Sequence, residues 1–90
     1  MITLTKEQAN KITRIDNGDV VTIPSEVFAK GDMLILFNNS DETIKLESKI
    51  KVTYRSGSKE PRTVLNWPPR AIINLIFVDD DLLVSCLEVL

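Results

Sequence analysis

The stretch "VTIPSEVFAKGDMLILFNNS", Val21 to Ser40, decides the fold. Pro24 closes the apolar run Val20 to Ile23, because a proline brings no backbone donor to a strand ladder. Ser25 is placed to cap one helical turn through Glu26, Val27 and Phe28, and Gly31 suits the left-handed residue that ends such a turn. Asp32 leads into Met33 to Phe37, an apolar run too short for a helix and suited to a strand covered on both faces. Asn38-Asn39-Ser40 supplies turn chemistry after it. The stretch reads as a strand, a one-turn corner that anchors Val27 or Phe28 beneath a sheet, and a second strand.

Upstream, Asn17-Gly18 is the strongest two-residue hairpin signal, since both central positions of a type I′ turn need positive φ. It predicts Ile12 to Ile15 paired with Val20 to Ile23. Thr5 and Gln8 have capping-box spacing, so a short helical turn is expected from Lys6. Ile2-Thr3-Leu4-Thr5 alternates as a short strand or arm would. Met1 to Ile15 is thus an N-terminal arm or short strand and helix, with a β domain over residues 16–90.

Downstream, "TIKLE" turns Ile44 and Leu46 inward, and "IKVTY" does the same with Ile50, Val52 and Tyr54. Arg55 to Arg62 is a polar loop with Gly57 and Pro61. "VLNWPPR" reads as a stiff extended connector, because its prolines cannot enter a central strand. "AIINLIFV" and "LLVSCLEVL" are strands joined through Asp79-Asp80-Asp81. The expected fold is all-β: a small single-domain β-sandwich or barrel of six to eight short, mostly antiparallel strands with one or two single-turn helices.

A chain of 90 residues buries only about 60–65% of the surface its unfolded form exposes, so association with other copies is expected to add stability. Seven basic residues and two acids lie between Lys45 and Arg70, a segment of +5 that leaves −7 on the rest of a chain whose formal charge is −2. Lys45, Lys49, Lys51, Arg55, Arg62 and Arg70 form a candidate basic contact face. With Tyr54 the one aromatic among them before Trp67, a solvated strand face or a protein contact is favoured over nucleic acid. Thr3, Thr5, Lys6 and Glu7 interrupt any leader-like apolar core, and no apolar run is long enough to span a bilayer, so synthesis in the cytoplasm and no membrane partner are expected.

The catalytic inventory is thin. The chain has no histidine and one cysteine, Cys86, which sits in an apolar run and reads as a buried thiol. Histidine-activated nucleophiles are therefore absent, zinc lacks a ligand set, and Gly18, Gly31 and Gly57 are isolated rather than gathered in a phosphate loop. Asp79-Asp80-Asp81 and Asp16-Asn17-Gly18-Asp19 read as solvated turns in preference to calcium sites. No enzyme activity, cofactor or metal is expected. Trp67-Pro68-Pro69 is a rigid apolar element that either anchors an interface or caps the core.

Thr22-Ile23-Pro24, Phe28, Gly31-Asp32, Asn38-Asn39-Ser40 and Thr43-Ile44, followed by "IKVTYRSGS" and "RAIINLIFVDDDLLVSCLEV", resemble a β-rich module of tailed-bacteriophage head-decoration and tail-fibre proteins. The likeness spans about Asp19 to Leu90. Lys51 departs from the glycine usual in that module, Leu82 from its tryptophan, and the connector around "NWPPR" is longer. The resemblance implies a non-enzymatic virion protein, a homotrimer bound between subunits of the major capsid protein, with a tail-fibre or baseplate module as the alternative. Its length favours free-standing decoration over a fibre. Ile2, Leu4, Trp67, Pro68 and Pro69 are the candidate interface residues. Outside virion architecture, a small nucleic-acid-binding or regulatory protein using the basic segment is the remaining alternative.

Overall fold

The computed structural model describes residues 1–54, 62–79 and 82–85. They form eight strands and one 3-10 turn: β1 Ile2–Thr3, the turn Lys6–Gln8, β2 Ile12–Ile15, β3 Val21–Ile23, β4 Met33–Asn38, β5 Ile44–Tyr54, β6 Arg62–Trp67, β7 Ile72–Asp79 and β8 Leu82–Ser85. The domain is all-β, as the sequence predicts, with the strands in one curled sheet that forms a half-barrel. Strand order is β1-β3-β5-β8-β7-β4-β2, with β6 on the other edge of β5.

Strand direction departs from expectation. Among the described residues four pairings are parallel, β1 with β3, β2 with β4, β3 with β5 and β5 with β8. Three are antiparallel, β4 with β7, β5 with β6 and β7 with β8. The cause is local to Asn17-Gly18, which does not turn a hairpin. Neither residue has positive φ, and residues 16–20 cross between distant strands. β2 and β3 instead find the longer apolar strands β4 and β5. The exit from β2 is held there because Asn39 donates from its backbone to the Ile15 oxygen and from its side chain to Asp16 Oδ1.

The N-terminal stretch takes the strand-and-turn form of its two expected alternatives. β1 pairs with β3, Leu4 is buried, and Thr5 and Gln8 close the predicted capping box. The corner after Pro24 is not a helical turn, however. Residues 25–28 are bends, with Glu26 at φ 62°. Asp32 organises the corner: its carboxylate accepts from the Ala29 backbone, Lys6 Nζ and Asn10 Nδ2. Gly31 is left-handed at φ 92°, as the sequence predicts, and Phe28 is buried and stacked on Phe77 with ring centroids 5.0 Å apart.

"TIKLE" and "IKVTY", expected as two strands, form one. β5 runs from Ile44 to Tyr54 and bends where its register with β6 shifts between Glu47 and Val52. Buried Ser48 serves this irregularity by donating to the Ile50 oxygen and accepting from the Ile50 backbone. The first half of β5 joins β3 and the second joins β8, which curls the sheet. "VLNWPPR" is likewise more than a connector, since Val64 to Trp67 lie within β6. Pro68 and Pro69 fall just past its end, so neither removes a donor from the ladder. Inside the curl, Val21, Ile23, Ile44, Leu46 and Trp67 share one core cluster with Leu34, Leu36, Ile73, Leu75 and Phe77.

Candidate interaction face

Strands β4, β5 and β7 show one face to this core and the other outward, and the outward faces divide the surface in two. On β5 the outward residues are Lys45, Glu47, Lys49 and Lys51, a mostly basic ridge. Thr22 of β3 lies across from Glu47, and Thr3 of β1 lies across from Thr22. An open groove of about 450 Å³ runs here, lined by Met1, Thr3, Thr22, Pro24, Glu47 and Lys49 among others. Thr22 Oγ1 is buried without a hydrogen-bond partner.

The other half of the outer surface is apolar. β4 turns Leu34, Leu36 and Asn38 inward and leaves Met33, Ile35 and Phe37 half-buried on the outside. β7 buries Ile73, Leu75 and Phe77 and turns out Ile72, Asn74, Ile76 and Val78. The register places Ile35 against Asn74, Phe37 against Ile72, and Met33 against Ile76. Ile12 of β2 lies beside Ile35 on the same face, and Val84 of β8 beside Ile76. Ile12 is 74% exposed, Ile72 49% and Val78 39%.

Met33 to Phe37 was expected to be covered on both faces, and the described chain covers one. The continuous apolar runs "MLILF" and "IINLIF" are the residues a strand needs when both faces are dry. Asn74 is the polar exception at the centre of the open face, and its Oδ1 is buried with no hydrogen-bond partner.

The candidate residues named from sequence fall in separate places. Trp67 and Leu4 are core, at 0% and 2% exposure, so neither offers a surface to a partner; of the two readings of Trp67, the structure gives the core cap. Its indole Nε1 donates to the Ala71 oxygen. Pro68 and Pro69 are exposed beside it, and Ile2 is half-buried. Lys45, Lys49 and Lys51 share the β5 ridge, and Arg62 lies exposed on β6 across from Val52. Arg70 stands apart in the turn after β6, where it binds Asn39 and Asp41. Arg55, Asp80, Asp81 and Cys86 lie outside the described residues.

A second concavity gathers Asp16, Asn17, Asn39, Asp41, Glu42 and Arg70. Arg70 pairs with Asp41 there. Among the described residues no group of three or more histidines, cysteines or carboxylates is disposed to hold a metal ion. The outward face of β4 and β7 was not picked out from the sequence as a surface. Its signal was present in the unbroken apolar runs, but which alternate residues face outward follows only from the register. Comparison of the chain with family models, with curated proteins and with solved structures found no match.

Proposed function

We infer that this chain is a non-enzymatic structural protein of a virion, one that decorates and stabilises a capsid by binding between major capsid subunits as a homo-oligomer. The observation that carries the reading is the division of the outer surface. An apolar half over β2, β4, β7 and β8 suits permanent association, and a basic ridge on β5 suits a polar protein partner. The resemblance of Thr22 to Ile44 to the phage module supplies the virion setting. Repetition of a modest contact in an oligomer adds strength by avidity.

Co-sedimentation with expanded empty capsids, and separately with isolated tails, of the virus whose genome encodes the chain tests this. Saturable binding to capsids is expected, reduced at least about tenfold when Lys45, Lys49 and Lys51 are all replaced by glutamate. Binding to tails alone would move the protein to a fibre or baseplate. Binding to neither, or a steeply salt-dependent affinity for DNA, would overturn the reading.

A further inference from the structure

We propose that two copies of this chain pack through the outward faces of β2, β4, β7 and β8, related by a two-fold axis. This goes beyond the virion reading and stands without it, because it rests on the sheet face alone.

The first argument is chemical. β4 carries no charge on its outward side, and β7 carries none before Asp79. At the margins, Arg14 of β2 is paired with Asp16 at 3.0 Å, and Lys51 of β5 borders β8 beside Leu82. A face so nearly free of charge meets its own copy without like-charge repulsion, whereas the β5 ridge, with Lys45, Lys49 and Lys51, would repel itself. Two sheets facing each other are also the ordinary way for strands with two apolar sides to become dry on both.

Size gives the second argument. Strands about 4.8 Å apart, rising about 3.3 Å per residue, make the four-strand face roughly 20 Å square, or roughly 500–700 Å² once side-chain relief is counted. That is near the lower bound of about 600 Å² per partner at which specific complexes become stable. A domain of this size has a small core to rely on, so the added burial matters more than it would in a larger protein.

Symmetry supplies the third argument: the same patch on both copies makes an isologous contact, which a two-fold axis closes. A three-fold ring needs two different patches on each copy, so this inference replaces the expected trimer by a dimer.

Sedimentation equilibrium of the full chain is expected to show a monomer–dimer equilibrium complete by about 200 µM. Ile35→Lys and Ile72→Lys, each changing an outward side chain, should weaken dimerisation by more than about 100-fold, while Val64→Lys on β6 leaves it unchanged. Asn74→Asp should dimerise near pH 4 and weaken at least about tenfold by about pH 7, as a carboxylate placed on this apolar face ionises. Should a variant not fold, hydroxyl-radical footprinting of the unaltered protein reads the same contact: Phe37 and Ile72 become protected as it is concentrated. A monomer at about 200 µM, a trimer, or a dimer indifferent to the β4 and β7 changes would overturn the proposal. A dimer without capsid affinity would remove only the virion reading, and a monomer that saturates capsids would remove only this one.

Discussion

Asn38 and Trp67 meet at one carbonyl: the Asn38 backbone N–H, at 3.0 Å, and the Trp67 indole Nε1, at 2.8 Å, both donate to the Ala71 oxygen. The Asn38 amide nitrogen then reaches back to the carbonyl oxygens of Glu42, Trp67 and Pro68 at 2.8, 3.2 and 3.0 Å. Its Oδ1 accepts from the backbone and hydroxyl of Ser40. One fully buried side chain thus holds the turn after β4 to the turn after β6.

Replacing Asn38 by alanine strands several buried carbonyls and the Ser40 donors at once. The expected loss is about 2–4 kcal/mol, read as a fall in denaturant midpoint with little change in slope. Asn38→Asp retains the acceptor for Ser40 and loses the donors, so it should fall short of wild-type stability as well. A neutral result for Asn38→Ala would show that the two turns hold without this bridge.

Trp67 fills the core and spends its single donor on Ala71. Trp67→Phe should cost about 1–2 kcal/mol, for lost volume and the lost hydrogen bond, and Trp67→Ala about 3–5 kcal/mol. As the chain's one tryptophan, it reports on itself. Native emission should be blue-shifted and move to the red on unfolding; a red-shifted native spectrum would contradict its burial.

The corner between β3 and β4 holds two left-handed residues of opposite fitness. Glu26, at φ 62°, carries a side chain where glycine is at ease, and Gly31, at φ 92°, is already suited. Glu26→Gly is expected to raise stability by about 0.5–1 kcal/mol, which in a domain of this size is several degrees in thermal midpoint. Gly31→Ala should lower it by about 1 kcal/mol through the backbone alone, since an added Cβ there meets nothing within 4 Å.

Two carboxylates link acid stability to the N-terminal stretch. Asp32 is held below the ordinary carboxylate range, first by Lys6 Nζ at 2.7 Å and then by the Ala29 N–H. Asp19 is lowered first by the terminal ammonium of Met1, also at 2.7 Å, and then by the Val20 N–H. A depressed native value means that the unfolded chain takes up protons first, so this stabilisation is full above the unfolded value, about pH 4, and is lost as the pH falls below it through the native values. Thermal midpoints should be nearly flat from about pH 5 to 7 and decline below about pH 4, with a shallower decline in Asp32→Asn and Asp19→Asn. An unchanged acid limb in both variants would exclude these pairs as its source.

Local chemistry made much of this legible from residues alone. The Thr5 and Gln8 cap, Pro24 as a strand end, Gly31 as a left-handed close, and the inward alternation of Ile44, Leu46, Ile50 and Val52 each depend on a residue and its near neighbours. The all-β class follows from the same short-range pattern. The Asn17-Gly18 reading failed because a turn preference worth little by itself gave way to the burial available when β2 and β3 pair with β4 and β5.

Sequence by itself determined that the chain would make short apolar strands around a core, that Phe28 or Val27 would be pinned beneath a corner, and that "MLILF" and "IINLIF" contained enough apolar residues for two dry faces. Only the tertiary structure decided which strands are neighbours, that Trp67 lies inside, and that Asn74 stands amid Ile35, Ile72 and Ile76 on a face left open. The physical reason is that burial depends on pairings between residues distant along the chain. With a side-chain period of two, a one-residue change of register exchanges the buried and outward sets of a strand, so the identity of an outer face waits on the fold.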